Sequence, residues 1–247
     1  MRIEHLTWRE YAAGIKDKIV ILPVGALEQH GAHMPLNVDV VISASFADRV
    51  GSELDAMVLP PVAYGYKSHP ATGGGQDFPG TTSLNGTTLI HLVLDILNET
   101  YRHGGRRFLI MNGHLENIAY IVEAMDLFLK HASDARVMAV AWWDVASEEM
   151  RDEIARQAGI ERWEDDHAAM TETSLMQYFA PDLVREEAMV DEVADRRVGY
   201  TIFPTPSDLT TESGLMYSVE HASRDIGEKL AEQITGALIE AALLELG

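Results

Sequence analysis

No cysteine occurs among the 247 residues, which rules out disulfides, thiolate metal sites and a cysteine nucleophile. Any metal must therefore be held by nitrogen and oxygen donors. Basic residues are scarce: 19 Lys and Arg stand against 39 Asp and Glu, a formal charge of −20. So acidic a chain is not built to grip phosphate, because nucleic acids and anionic membranes need clustered cations. The acidity reads as a soluble, self-repelling surface. There is no apolar run long enough to span a bilayer, and no signal-peptide core behind Met1; a cytoplasmic protein is expected. Gly73-Gly-Gly75 lacks the Lys-Ser/Thr and the strand-to-helix setting of a phosphate loop, and no Gly-x-Ser-x-Gly nucleophile elbow is present.

What the chain does contain is an alternation of strand and helix signals. Thr7, with Glu10 at the capping-box position, predicts a short N-terminal helix. An apolar strand over Ile19–Pro23 is followed by a polar loop and by helical spacing over Val40–Leu54. A second strand is expected over Ala56–Pro60, then a Gly/Pro/Thr-rich stretch from Pro61 to Ser83. Thr87–His103 reads as a helix stopped by Gly104-Gly105. Arg107–Asn112 is a third strand, with helix resuming through Lys130, and Arg136–Trp142 is a fourth. Ser147 caps a helix running to Gly159, and Pro181 ends another over Thr171–Phe179. From Pro181 to His221 the pattern is irregular, carrying at most short strands, and Ser223–Leu246 closes the chain as a helix.

Such alternation implies right-handed βαβ units. The expected class is α/β, a three-layer α/β/α arrangement about a central, mainly parallel sheet. No repeat, linker or compositional break divides the chain, so one domain over residues 1–247 is expected.

Ligands of open α/β sheets gather at the carboxyl ends of the strands, and polar clusters fall there. Glu28, His30 and Asp39 follow the first strand, His114 and Glu116 the third, and Trp143 and Asp144 the fourth. Glu28-x-His30 and His114-x-Glu116 share a spacing of two, which in extended backbone projects both members from one side. A lone Glu-x-His arises by chance; two such pairs, each behind a predicted strand and flanked by glycine, are a stronger signal. Five donors with three carboxylates are too many for one tetrahedral ion. They suit two divalent ions sharing a carboxylate, Asp39 being the candidate bridge. Zn²⁺ or Mn²⁺ fits such a nitrogen and oxygen set, and a metal pair makes hydroxide available at neutral pH. His5, His91, His103 and His131 fall on predicted helix faces or ends and read as solvated. His33 and His69 lie in the polar loops without a matching partner.

The motifs together resemble the creatininase (creatinine amidohydrolase) family almost end to end. They are Leu22–Gly31 with Asn37-Val-Asp39, Asn112–Asn117, and Glu172-Thr-Ser174 after His167. Further pieces similar to the bacterial creatininases are Leu6-Thr-Trp8, Tyr64–Ser68, Gly73–Gly75, Phe78–Leu84, Trp143-Asp144 and Pro181–Leu183. The resemblance implies that Glu28, Asp39 and His114 hold one metal and that His30, Asp39 and Glu116 hold the other, two divalent ions (Zn and/or Mn) per subunit. It gives His167 a general acid/base role on the leaving ring nitrogen, supported by Glu172, with Glu116 also at the catalytic centre. It makes Ser68, Leu115, Trp143, Trp163 and Glu164 the substrate-binding positions, Trp143 on a lid and Trp163 against the substrate ring. It also implies a homo-oligomer, typically a hexamer, whose loops complete neighbouring sites.

The chain departs from the family pattern where the substrate would lie. Leu115 replaces a tyrosine, Glu164 an aspartate, and Ala168-Ala169 a Gly-Gly pair, which adds bulk and restricts the backbone. The function implied is a dinuclear amidohydrolase opening a small cyclic amide or amidine ring, creatinine to creatine being the leading candidate. A metal-bridging hydroxide would attack the ring carbonyl while His167 serves the leaving nitrogen. The alternatives are a family hydrolase for another small ring (a cyclic diketone, lactam or formamide) and a metal-binding protein without turnover.

Overall fold

A computed structural model describes residues 1–73, 75–160, 167–196 and 198–247. At its centre Ile19–Val24 forms β1, flanked on one side by the short β2 (Met57–Val58) and on the other by β3 (Arg107–Asn112). Beyond β3 lies β4 (Arg136–Ala141), giving the order β2-β1-β3-β4 with every pairing parallel. Burial on both faces explains why β1 reads as a continuous apolar run rather than an alternating one. Pro23 has no N–H for a ladder; it lies beyond the Val20 and Ile21 positions at which β2 pairs.

Alternate residues of the strands feed two separate cores. Ile19, Ile21, Leu109, Met111 and Val140 face one side. There they meet α2 (Val38–Glu53), α6 (Met170–Phe179) and α7 (Arg224–Leu246), with α5 (Glu148–Ala158) at the margin. Val20, Leu22, Val24, Phe108 and Ile110 face the other side. That layer consists of α3 (Gly86–Arg102) and α4 (Ile118–Leu129), with α1 (Trp8–Gly14) nearby. The period-two side-chain alternation of a strand is thus what separates the helix layers. The expected three-layer α/β/α class with a parallel sheet is the one observed.

Local signals were read well where caps are strong. Thr7 and Glu10 form a complete capping box, and Ser147 and Ser223 cap α5 and α7 through their side chains. Two boundaries moved with consequence. Strand β2 is only two residues long rather than five. Helix α2 begins at Val38, two residues earlier than its apolar spacing suggested, and so takes Asp39 out of the loop and into its first turn. Among the described residues from 181 to 221 there is no strand, only the 3-10 turns Pro181–Leu183 and Glu186–Ala188. Nor, among the described residues, is any helix long and apolar enough to cross a membrane.

Candidate metal centre

The chain runs from β1 to β2 in one direction and to β3 in the other, so β1 and β3 flank the switch point of the sheet. A crevice opens at such a point, at the carboxyl ends of the strands. Glu28 and His30 follow β1 there, and His114 follows β3. Asp39 arrives from the start of α2, and two glycines let it come close. A Cβ on Gly113 would stand 2.4 Å from the Asp39 carbonyl oxygen, and one on Gly25 2.6 Å from the Val40 nitrogen. Only hydrogen fits at these contacts. The Glu28 amide donates to the Leu36 carbonyl at 2.9 Å, closing the loop between β1 and α2.

Both imidazoles are oriented from behind. Nδ1 of His30 lies 3.1 Å from the Glu28 carbonyl, and Nε2 of His114 lies 3.1 Å from the Tyr66 carbonyl. Each carbonyl can only accept, so these nitrogens carry the hydrogens and the opposite nitrogens face inward. The inward nitrogens meet carboxylates. His30 Nε2 is 3.0 Å from Asp39 Oδ1, and His114 Nδ1 is 3.0 Å from Glu28 Oε2 and 3.2 Å from Asp39 Oδ2. The two oxygens of Asp39 therefore face one imidazole each.

Burial would lift the Glu28 and Asp39 carboxyls, but facing imidazoles outweigh it. Glu28 is held below its usual range by the His167 and His114 charges, and Asp39 well below by His30 and His114. Burial likewise opposes charge on the imidazoles, yet the carboxylates raise His30 to about 10 and His114 well above its ordinary value. Despite these close approaches, both oxygens of Glu28, Asp39 Oδ2 and His30 Nε2 are buried and, among the described residues, make no well-aligned hydrogen bond. Buried polar atoms are almost always satisfied; a convergent set that is not, made of carboxylate and imidazole, needs positive charge between its members. A divalent cation supplies it, and the donor types are those that zinc and manganese accept. The residues present fit such an ion.

Donor atoms of Glu28, Asp39 and His114 lie within 4.8 Å of one another, and so do those of His30, His167 and Glu172. The first set brings together the three residues expected around one ion; the second brings Glu172 and His167, rather than Glu116, to His30. Glu116, expected beside His30, sits on the 3-10 turn Leu115–Asn117. One of its oxygens accepts from the His69 amide at 2.9 Å and from the Thr72 hydroxyl, while the other is 3.3 Å from His114 Nε2. Glu172 Oε2 is the carboxylate near His30, at 3.7 Å, and also accepts from the Ala168 amide at 2.7 Å. Burial pushes the Glu172 carboxyl up against the pull of His30 and His167.

A cavity of about 280 Å³ opens onto these groups, with Asp39, His114, Glu116, His167 and Glu172 in its polar wall. Of the expected substrate positions, Leu115 and Trp143 line it. Leu115 is 47% exposed, so it presents an apolar surface rather than filling the core. Ser68 does not line this cavity: it is buried, and its hydroxyl accepts from the Gly75 amide at 3.3 Å. In this arrangement the Ser68 hydroxyl is turned inward and holds the glycine-rich loop. Trp163 and Glu164 lie outside the described residues. Ala168 has φ 59°, the left-handed region where glycine rests and alanine is strained. The departure from Gly-Gly thus places strain directly beside His167.

Sequence reasoning assigned no role to Gln29 and no partner to His33. His33 is fully buried, its Nε2 2.8 Å from the Thr173 hydroxyl and its carbonyl accepting from the Arg185 amide, which ties the loop after β1 to α6 and the segment beyond. Gln29 binds three separate loops through one amide. Nothing local marks either residue, since their partners other than Gly31 lie 44 to 185 positions away.

The family model of creatininase, described as creatinine amidohydrolase, matches residues 4–242. The chain belongs to the creatininase family. The creatinine amidohydrolase of Pseudomonas putida is 40% identical over 246 residues, covering 97% of this chain and 95% of that one. The mycofactocin precursor peptide peptidase of Mycolicibacterium smegmatis is 32% identical over 178 residues, 70% of this chain and 62% of its own length. A manganese creatininase superposes with a TM-score of 0.93 at 40% identity, over 99% of this chain and 98% of the other. A glutamate-to-glutamine creatininase variant of Zn–Zn type gives the same score at 38% identity, with the same coverage. This creatininase-family chain is accordingly a hydrolase with metal-binding residue groups at the carboxyl ends of its central strands.

Proposed function

We propose that the chain is a dinuclear metal-dependent amidohydrolase that opens a small cyclic amide or amidine ring, with creatinine, giving creatine, as the leading substrate. The observation that carries this reading is the convergence of buried donor atoms from Glu28, His30 and Asp39 behind a cavity whose wall includes Asp39 and His167. Glu28, Asp39 and His114 would hold one ion, and His30, Asp39 and Glu116 the other, the two oxygens of Asp39 serving both. Zinc or manganese bound there would polarise a carbonyl oxygen and make hydroxide available at neutral pH. The net change adds water across the ring C–N bond: hydroxyl to the carbonyl carbon, a proton to the departing nitrogen.

The chain's own residues supply orientation and protons. His167 stands at the wall of the cavity, its Nε2 held 2.8 Å from the Gln29 carbonyl, and is the group to move a proton to the departing nitrogen. Glu172 fixes the turn that carries His167 by accepting from the Ala168 amide, and its carboxyl lies close enough to support the imidazole. Trp143, edge-on to Trp142 at 5.2 Å, gives the cavity a flat apolar wall suited to a planar ring. Ser68, Trp163 and Glu164 complete the proposed substrate contacts. The reading includes one domain over residues 1–247, a homo-oligomer of hexameric form and a cytoplasmic location.

Leu115 favours a second reading within the same class, hydrolysis of a different small ring, because an exposed leucine offers that substrate no hydroxyl. Incubating the zinc- or manganese-loaded protein with creatinine and following creatine separates the two. Conversion supports creatinine; no conversion by fully loaded protein removes it and leaves the other rings to be assayed. Leu115→Tyr should then raise creatinine turnover, and an unchanged rate would clear Leu115 of setting specificity.

A further inference from the structure

Arg151, in the first turns of α5, is the cation in the wall of the same cavity that holds Asp39, His114, His167 and Glu172. Among the described residues its guanidinium has no hydrogen bond and no ion pair. The carboxylates nearest the cavity are engaged elsewhere. Asp39 faces His30 and His114, Glu116 accepts from His69 and Thr72, and Glu172 accepts from Ala168. A half-buried guanidinium without a partner is uncommon, because arginine in a partly desolvated place is normally paired. Its planar fork matches a carboxylate in a two-pronged hydrogen bond, and such charge-assisted pairs are the strong ones.

The helix holds this residue in place. Ser147 caps α5, and the Arg151 amide donates to the Ser147 carbonyl at 3.1 Å. α5 itself follows β4, so Arg151 belongs to the same carboxyl-end rim of the sheet as the metal-ligand candidates. The protein carries a formal charge of −20, and such a field repels anions. A single unneutralised cation among the described residues of the cavity wall is therefore a selective feature rather than part of a general anion trap.

Resting on the amidohydrolase reading above, we infer that Arg151 is a specificity residue: the substrate is a small cyclic amide bearing a carboxylate, which the guanidinium binds while the ring amide faces the metal-ligand residues. Creatinine carries no carboxylate and would leave this group unused, so the inference takes the second reading, hydrolysis of a different small ring, over creatinine.

A matched pair of rings tests this. Dihydroorotate and dihydrouracil share one six-membered cyclic ureide and differ by a ring carboxylate. Calorimetric binding of each to the zinc-loaded full chain is compared with binding to Arg151→Met and Arg151→Lys, each checked for metal content and thermal unfolding. The carboxylated ring is expected to bind the unaltered protein on the order of 10- to 100-fold more tightly. Arg151→Met should remove that preference without weakening the neutral ring, and Arg151→Lys should restore part of it. Equal binding of the two rings to the unaltered protein, or a preference that survives Arg151→Met, would overturn the inference. Ring opening, followed separately, keeps the two claims apart. A carboxylate preference without turnover of any cyclic amide supports the anion site and sinks the amidohydrolase reading. Turnover of creatinine that is unchanged in Arg151→Met, with no preference for the carboxylated ring, does the reverse.

Discussion

Nε2 of His167 lies 2.8 Å from the backbone carbonyl of Gln29 and 3.0 Å from that residue's side-chain nitrogen. Only the first contact is a hydrogen bond. The Gln29 amide donates to the carbonyls of Gly73, at 3.2 Å, and Gly214, at 2.9 Å, while its oxygen accepts from the Gly31 amide at 2.9 Å. Two hydrogens are thus committed to two carbonyls, leaving none for the imidazole. His167 must itself donate from Nε2, which fixes its tautomer and ring orientation. One glutamine so joins the loop after β1, the glycine-rich loop and the segment before α7 around the proposed acid/base.

Gly214 is the position at which that clamp is most sensitive. It has φ +88°, and a Cβ there would fall 2.0 Å from Gln29 Oε1. Gly214→Ala should displace the Gln29 side chain and cost at least the ~1–2 kcal/mol of a left-handed alanine. Urea unfolding should report the loss, and ring-opening activity should drop further than metal content does. Full activity in the variant would show that the clamp does not pose His167.

The carboxylates of Glu116 and Glu172 compete for the role of second-ion ligand, and their isosteric amides separate them. Glu116→Gln should reduce bound metal from about two equivalents toward one, since a ligand oxygen is replaced by an amide. Glu172→Gln should keep both ions and lose turnover through a misplaced His167. Atomic emission on dialysed protein gives the count. Loss of an ion in Glu172→Gln alone would exchange the two roles.

Metal binding should release protons. In the bare donor set His30 is raised to about 10 and His114 well above its ordinary value, burial opposing both and the facing carboxylates prevailing. The facing carboxylates thus favour the charged form of both imidazoles, and an ion taking their inward nitrogens must expel the protons they hold. Calorimetric zinc titration at pH 7, in buffers of different ionisation enthalpy, should give about one proton per imidazole ligand. Affinity should weaken as pH falls. Binding without proton release would remove His30 and His114 from the ligand set.

His33 predicts acid sensitivity of a different kind. Burial, with the His30 charge adding to it, lowers its pKa from 6.5 to about 4. Between those values the unfolded chain binds a proton that the folded one refuses, so this contribution to stability is present above pH 6.5 and declines toward pH 4. The decline is at most about 1.4 kcal/mol per pH unit. His33→Gln, able to keep a bond to Thr173 without titrating, should narrow its stability gap to the unaltered protein between pH 7.5 and pH 5. A gap independent of pH would mean that His33 binds its proton equally in the folded and unfolded states.

Much of this protein was legible along the chain. Strand and helix alternation gave the α/β/α class because its determinants, apolar period and capping residues such as Thr7 and Ser147, act within a few positions. The donor types at Glu28, His30, Asp39 and His114 were legible too, since each follows a strand end that the sheet gathers into one crevice. The tertiary structure alone set which atoms meet. Strand order put the ends of β1 and β3 side by side, and the bare glycines at 25 and 113 let α2 bring Asp39 between His30 and His114. It turned Glu116 toward Thr72, hid Ser68 behind Gly75 and left Arg151, among the described residues, unpaired in the cavity wall. Propensity and spacing report the backbone near each residue, whereas partners for a buried charge come from loops far apart in sequence, and only packing decides which of them arrive.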